Sequence, residues 1–201
     1  MATSAEDLLK YGNVSQNYLT EYFVGDSNMG LTAPEKLFYI ADGIESAEPK
    51  QDDKKSSKAY FNGGGQETTT ITGSTRSVDF SGDRAIGDPA QDLIAGLADT
   101  TGSARNKWFR ENEYIIGDNG KLQLVSSRTG IVTWSDITDK GGNASDPGSF
   151  KATATYTSKP QTLKTPADAT KLATVLTETP SVNSKILGLE AEVQGATTPG
   201  K

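Results

Sequence analysis

DFSGDRAIGDPAQDLIAGLADTTGSARNKWF, residues 79–109, holds the clearest helix in a chain that otherwise reads as strands. Asp88 stands where an N-cap belongs, Pro89 at the first helical position forfeits no hydrogen bond, and Gln91 is spaced to reach back to the cap's own N–H. Ala90, Leu93, Ile94, Leu97 and Ala98 follow at the helical repeat and line one face with apolar side chains, until Gly102 ends the pattern. The spacing predicts one helix over about residues 88–100, with Ala90, Leu93, Ile94 and Leu97 as its packing face. Burying three large aliphatic side chains at about 1.5–3 kcal/mol each exceeds what so short a helix lacks in water, so it must lie on something apolar. A sheet is the available partner.

Composition points the same way. Of 201 residues only 34% are hydrophobic while 21 are glycine, and the mean hydropathy is −0.52. That mixture suits short strands, many turns and a large polar surface, so the fold class expected is mainly antiparallel β with one flanking helix. One domain over residues 1–160 with a partly helical C-terminal extension over 161–201 is the simplest division, without a second core. There is no cysteine, no basic and apolar leader at MATSAEDLLK, and no apolar run of membrane-spanning length, which predicts a chain made and folded in a cytoplasm. The formal net charge is −6 and the only basic doublet, Lys54 with Lys55, follows Asp52 and Asp53, so tight binding to phosphate backbones is disfavoured.

Along the chain, residues 1–17 read as a polar arm with Ser4 as a possible helix cap. Residues 18–24 (YLTEYFV) and 37–44 (LFYIADGI) read as strands. The intervening stretch before the next strand, residues 45–59 (ESAEPKQDDKKSSKA), contains no large apolar residue and reads as a long loop outside the core, a candidate partner-binding excursion. Tyr60, Phe61 and a glycine turn lead into a strand at 68–80 with a mostly polar face, on which Arg76, Val78 and Phe80 share the other side. After the helix, residues 107–116 place Trp108, Tyr114 and Ile116 on one face; Asp118, Asn119 and Gly120 signal a two-residue hairpin turn; and Ser127, Arg128, Thr129 and Gly130 signal a second reversal, giving a three-stranded meander that ends near Ile137. Phe150, Ala152, Ala154 and Tyr156 alternate with polar residues in the cleanest period of two. Thr165, Pro166, Ala167 and Asp168 read as the start of a second helix whose stripe is Ala169, Leu172, Ala173 and Leu176. The end beyond Pro180 reads as an appendage closing on the low-complexity GATTPGK.

Chemistry is hard to find in these residues. Without histidine, triads and imidazole metal sites are excluded. Asp52 with Asp53, and Glu111 with Glu113, are carboxylate pairs that a solvated face explains. Gly63, Gly64 and Gly65 lack the Lys and Ser/Thr of a phosphate loop, and residues 139–149 (DKGGNASDPGS) lack the ligand spacing of a calcium loop. No catalytic residue, cofactor or metal is expected, and the chain reads as no enzyme.

YIADGIESAEPK (39–50) followed by KAYFNGGGQETTTITGSTRSVDFSGDRAIGDPAQDLIAGL (58–97) resembles the major tail proteins of siphophages, the tail tube subunits of long non-contractile phages of Gram-positive bacteria. SVDFSGDRAIGDPAQDLIAG (77–96) is the strongest piece, and the resemblance spans about residues 20–160. It implies an antiparallel β-sandwich or barrel-like tail tube fold, hexameric rings stacked into a hollow tube that conducts DNA, and a virion location. The partners implied are further copies of the chain, a tape measure protein, and tail terminator and distal tail proteins, with DNA passing through unbound. Some relatives carry an added immunoglobulin-like domain, for which the residues after 160 are too few. The long loop of such subunits reaches a neighbour, which would put Ser46, Glu48, Lys50, Asp52, Asp53, Lys54, Lys55 and Lys58 at an interface. Polar strand faces suit a water-filled lumen, with Thr70, Thr72, Asp79, Thr133 and Asp136 as candidates. An acidic chain suits it too, since a basic wall would hold every phosphate it met. The alternative is a monomeric β-sandwich binding module, carbohydrate-binding or head-decorating, with Trp108, Trp134 and Tyr156 as a stacking platform; their alternation favours the core instead.

Overall fold

The computed structural model describes residues 15–27 and 33–194. The arm with Ser4 as cap falls almost entirely, and the GATTPGK end wholly, outside the described residues. The chain divides into two units, a major one of Tyr22–Arg110 and Arg128–Gln161 and a terminal one of Met1–Glu21, Glu111–Ser127 and Thr162–Lys201. This division differs from the one expected at residue 160, because three separate stretches of sequence build the terminal unit.

Strands β1 (Thr20–Gly25), β2 (Leu37–Tyr39), β3 (Ile44–Ala59), β4 (Glu67–Asp83), β5 (Asn106–Ile116), β6 (Leu122–Thr138) and β7 (Ser149–Tyr156) follow the order β2-β1-β5-β6-β7-β4-β3. β1 with β2, β3 with β4, β4 with β7 and β6 with β7 pair antiparallel. In the major unit Val78, Phe80, Val132, Trp134, Phe150, Ala152 and Ala154 put alternate side chains into one cluster, as a half-buried sheet requires. Tyr22 meets Phe80 edge-on at 5.2 Å and Phe109 meets Trp134 edge-on at 6.0 Å, within the range that such aromatic pairs favour. Helix α1 (Pro89–Ala95) lays Ala90 and Ile94, and the turn after it Leu97, into the same cluster, with Leu93 half-buried beside them.

The terminal unit has a cluster of its own, made of Leu19, Tyr114, Leu122, Leu124, Leu163, Leu172, Val175 and Val193. Helix α2 (Ala169–Glu178) supplies Leu172 and Val175. β9 (Ala191–Val193) pairs parallel with the start of β6, Leu122 opposite Ala191 and Leu124 opposite Val193, and β8 (Gln161–Lys164) also pairs β6. The residues after 160 therefore carry core, not an appendage. Helix α3 (Val182–Leu187) is capped by Ser181, whose Oγ accepts the Ser184 N–H at 3.1 Å.

Several local expectations change. Residues 45–59 are no loop: they are most of β3, paired residue by residue with β4. Residues 37–44 are not one strand, since β2 stops at Tyr39 and a turn with Gly43 at φ 70° precedes β3. No reversal occurs at residues 127–130; β6 runs through them, because Ser127 and Thr129 are buried with partners and Gly130 leaves room for the Tyr156 ring. The turn at Asp118, Asn119 and Gly120 is real but longer than two residues: the Gly117 N–H donates to the Lys121 carbonyl at 2.9 Å, with Gly120 left-handed at φ 72°. Ile116 is exposed, whereas Trp108 and Tyr114 are buried. Helix α1 ends at Ala95, short of residue 100. The second helix starts at Ala169 with Asp168 at its cap position, and Thr165 instead donates its hydroxyl to Gln194 Oε1 at 2.8 Å; Ala173 is exposed and Val175 takes its place in the stripe.

Candidate functional site

β4 pairs with β7 only from Ser77 opposite Thr155 to Asp83 opposite Ser149. Its pairing with β3 goes on to Ala59 opposite Glu67. Residues 51–76 therefore project beyond the sheet as a two-stranded arm. Along β3 every residue from Glu48 to Ala59 is exposed except half-buried Ser56, so the arm has no apolar face. Of the expected interface residues, Glu48 and Lys50 sit at its root, Asp52, Asp53, Lys54, Lys55 and Lys58 on the arm itself, and Ser46 is half-buried where the pairing opens on the sheet. At the tip Phe61 is fully exposed and Tyr60 more than half exposed, and Ile71, opposite Lys55 midway along the arm, is also more than half exposed. These three apolar side chains on a polar arm are what composition alone passed over, although Tyr60 and Phe61 stand side by side in the sequence.

The second feature is the side of the sheet opposite the core. Register places Lys50 beside Ser77, Ser77 beside Thr155, and Thr155 beside Thr133. Thr133 donates its hydroxyl to Asn106 Oδ1 at 2.8 Å. One row further, Asp79 accepts from Thr153 Oγ at 2.7 Å and from the Lys50 ammonium at 2.6 Å. The Lys50 hydrogen bond holds the Asp79 carboxyl below the ordinary carboxylate range, and Asp79 in turn raises Lys50. The face is thus rich in hydroxyls, with Lys50 and Asp79 paired on it and exposed Lys151 in the next row beside Ser81. Asp79 and Thr133 share it, and β3 alternation carries Ser56 and Lys58, opposite Thr70 and Thr68, onto the same side of the arm. Thr72 sits at the bulge between Lys54 and Lys55 and donates to the Lys54 carbonyl at 3.1 Å. Asp136 is left-handed at φ 51° within the β6 bulge, off the regular strand alternation.

Beneath the arm's open end lies Gln91. Asp88 caps α1 as its position predicts, its Oδ1 accepting the Gln91 N–H at 2.8 Å. The Gln91 side chain does not return to the cap. It is buried, donates from Nε2 to the carbonyls of Asp42 at 2.6 Å and Asp83 at 3.0 Å, and accepts at Oε1 from the Ala85 N–H at 2.9 Å.

The residues considered for other chemistry sit differently. Trp108 and Trp134 are wholly buried and Tyr156 is 7% exposed, so they form no stacking platform. Glu111 is buried, against the solvated face expected of it, while half-buried Glu113 accepts from Ser126 Oγ at 2.9 Å. In the calcium-like stretch Asn143 Nδ2 donates to Asp146 Oδ2 at 2.7 Å, closing the loop on itself. Gly64 and Gly65 turn the arm tip at φ 63° and 83°.

Together the helix-backed sheet and its long projecting hairpin define a fold of the tail tube class. In solved structures the chain is similar to the anti-feeding prophage cap (AFP tube terminating cap), with a TM-score of 0.53 at 13% identity over 82% of this chain and 99% of that one. It is also similar to a chain from the tail of an empty GTA particle with C6 symmetry, with a TM-score of 0.53 at 13% identity over 74% of this chain and 98% of that one. No protein-family model matches the chain, and no curated protein matches its sequence.

Proposed function

We propose that the chain is the structural subunit of a phage-like tail tube, assembling into hexameric rings that stack into a hollow conduit for DNA, as in siphophages of Gram-positive bacteria. The observation that carries this reading is the arm: residues 51–76 leave the sheet with no core to serve, yet end in exposed Tyr60 and Phe61. A polar hairpin of this length is no use to a monomer, whereas an apolar tip on a solvated arm suits docking on a neighbouring copy. In this reading Ser46, Glu48, Lys50, Asp52, Asp53, Lys54, Lys55 and Lys58 lie at the contact between subunits. The hydroxyl face with Asp79 and Thr133, extended by Thr70, lines the lumen, where its hydroxyls offer phosphate no firm partner. The likeness in fold to a tube cap and to a C6 tail supports the reading.

A tube-terminating cap is the second reading, favoured by the first of those two likenesses. Sedimentation velocity and negative-stain microscopy of the purified protein separate the two. Tubes of indefinite length support the tube subunit; rings that never stack support the cap; a monomer at every concentration contradicts both.

A further inference from the structure

The arm raises a problem of register. A one-residue slip turns every side chain of a strand to the other face, and a strand normally resists this because one of its faces is apolar. Here neither face carries a large apolar residue from Glu48 to Ala59, and all but half-buried Ser56 are exposed. The tip does little to help, since a Cβ added to Gly63, Gly64 or Gly65 would meet nothing, and so loose a loop can absorb a slip.

At the open end of the hairpin the chain is tightly held. The Asp83 N–H donates to the Gly43 carbonyl at 2.7 Å. A side chain at Gly82 would run into that carbonyl, and one at Gly43 into the carbonyl of Asp83. Across this junction lies the Gln91 amide, bound to the residue before Gly43 and to the last residue of β4 through one nitrogen. Gln91 is fixed in turn by the Asp88 cap and by Arg84, which contacts both Gln91 Oε1 and Asp92.

We propose that Gln91 is the register clamp of the arm, a positioning residue that sets which β3 residue faces which β4 residue from the junction to the tip. It thereby decides whether Lys50, Asp52 and Lys54, or Gln51, Asp53 and Lys55, point to a given side. Its consequence for assembly rests on the tube reading; the clamp itself does not.

The chain has no cysteine, so engineered pairs report register cleanly. Asp53 faces Ser74, while Thr75 faces Asp52. With Gln91 present, the Asp53→Cys/Ser74→Cys pair cross-links and the Asp53→Cys/Thr75→Cys pair, which needs a slip of one, does not. Gln91→Glu keeps an acceptor for Ala85 and Arg84 but loses both donated hydrogen bonds, and is expected to raise cross-linking of the slipped pair by roughly tenfold or more. Gln91→Asn, neutral and too short to reach, gives the same result. If both variants still cross-link only Asp53 with Ser74, register is held elsewhere, at Ile44 and Ala47 on the core, and the proposal is overturned. Hydrogen exchange in the full wild-type chain decides the matter even where a variant does not fold. The Asp83 amide should exchange no faster than those of residues 50–53, and faster exchange contradicts the clamp. All of this is read on unassembled protein, so failure of the wild type to form tubes would remove the tube reading and leave the clamp standing.

Discussion

Gly130 lies under the ring of Tyr156, where an added Cβ would stand 2.9 Å from two ring carbons. Gly130→Ala is therefore expected to lower stability by about 1–3 kcal/mol, through displacement of a buried ring, as read from urea unfolding. Unchanged stability would show that the ring yields freely. The sequence invited a turn here, because Ser, Arg, Thr and Gly in succession are turn residues. What makes them a strand lies far off: Ser127 Oγ donates to Asn112 Oδ1 at 2.8 Å, and Arg110 Nε donates to Thr129 Oγ at 2.9 Å. No local pattern announces a buried polar residue whose partner sits on another strand. In α1 the two aliphatic neighbours separate clearly: Ile94 is wholly buried and Leu93 half so. Ile94→Asp should cost about 4 kcal/mol or more and leave the chain insoluble, whereas Leu93→Asp, able to turn its charge towards water, should cost about 1–2 kcal/mol. Equal losses in urea titrations of the two would contradict this difference in burial.

Among the elements, α1 and β7 were legible because each declares itself locally, α1 by Asp88 followed by Pro89 and β7 by strict alternation from Phe150 to Tyr156. β3 was not. Its residues carry neither apolar alternation nor β-forming side chains, and only pairing with β4 makes it a strand. The terminal unit was hidden for another reason: Leu19, Leu122 and Leu172 belong to one cluster but are strewn along the chain. That unit also holds a buried carboxylate. Glu21 Oε1 accepts from Ser181 Oγ at 2.8 Å and from the Asn183 N–H at 2.7 Å. Burial pushes its carboxyl above the ordinary 4.5, although those hydrogen bonds pull it back. Burial likewise raises neighbouring Tyr114. A raised folded-state pKa contributes stability that is fully present below the unfolded value and is lost as pH rises through the folded one. Carboxylates held low, such as Asp79 and Glu192, act with the opposite sign and at more acid pH. As pH rises from the ordinary carboxylate value of 4.5 the wild-type terminal unit should therefore weaken, and Glu21→Gln, whose Oε1 can keep both hydrogen bonds, should abolish that slope. Thermal midpoints of both proteins from that pH upward check it; an equal slope in the variant would assign the effect to another group.

For the whole molecule, the acidic balance, the missing histidine and the polar strands led to the expectation of a structural protein, and the candidate site was readable only in part. Residues 45–59 stood out as dispensable to the core, while their form as an arm, its apolar tip and the Gln91 junction depend on pairing over long separations. If the arm joins subunits, trimming it must separate folding from assembly. Replacing residues 51–76 by a short turn leaves the β4–β7 pairing and both hydrophobic clusters untouched, so the trimmed chain should fold with a melting temperature within a few degrees of the wild type. Phe61→Ser should weaken association without changing the melting temperature, because Phe61 is fully exposed. The most direct measurement is sedimentation velocity of wild-type and trimmed chains side by side over rising concentration, with microscopy of the fastest species. Rings and tubes are expected from the wild type and a folded monomer from the trimmed chain; tubes of normal length from the trimmed chain would show that the arm does not join subunits.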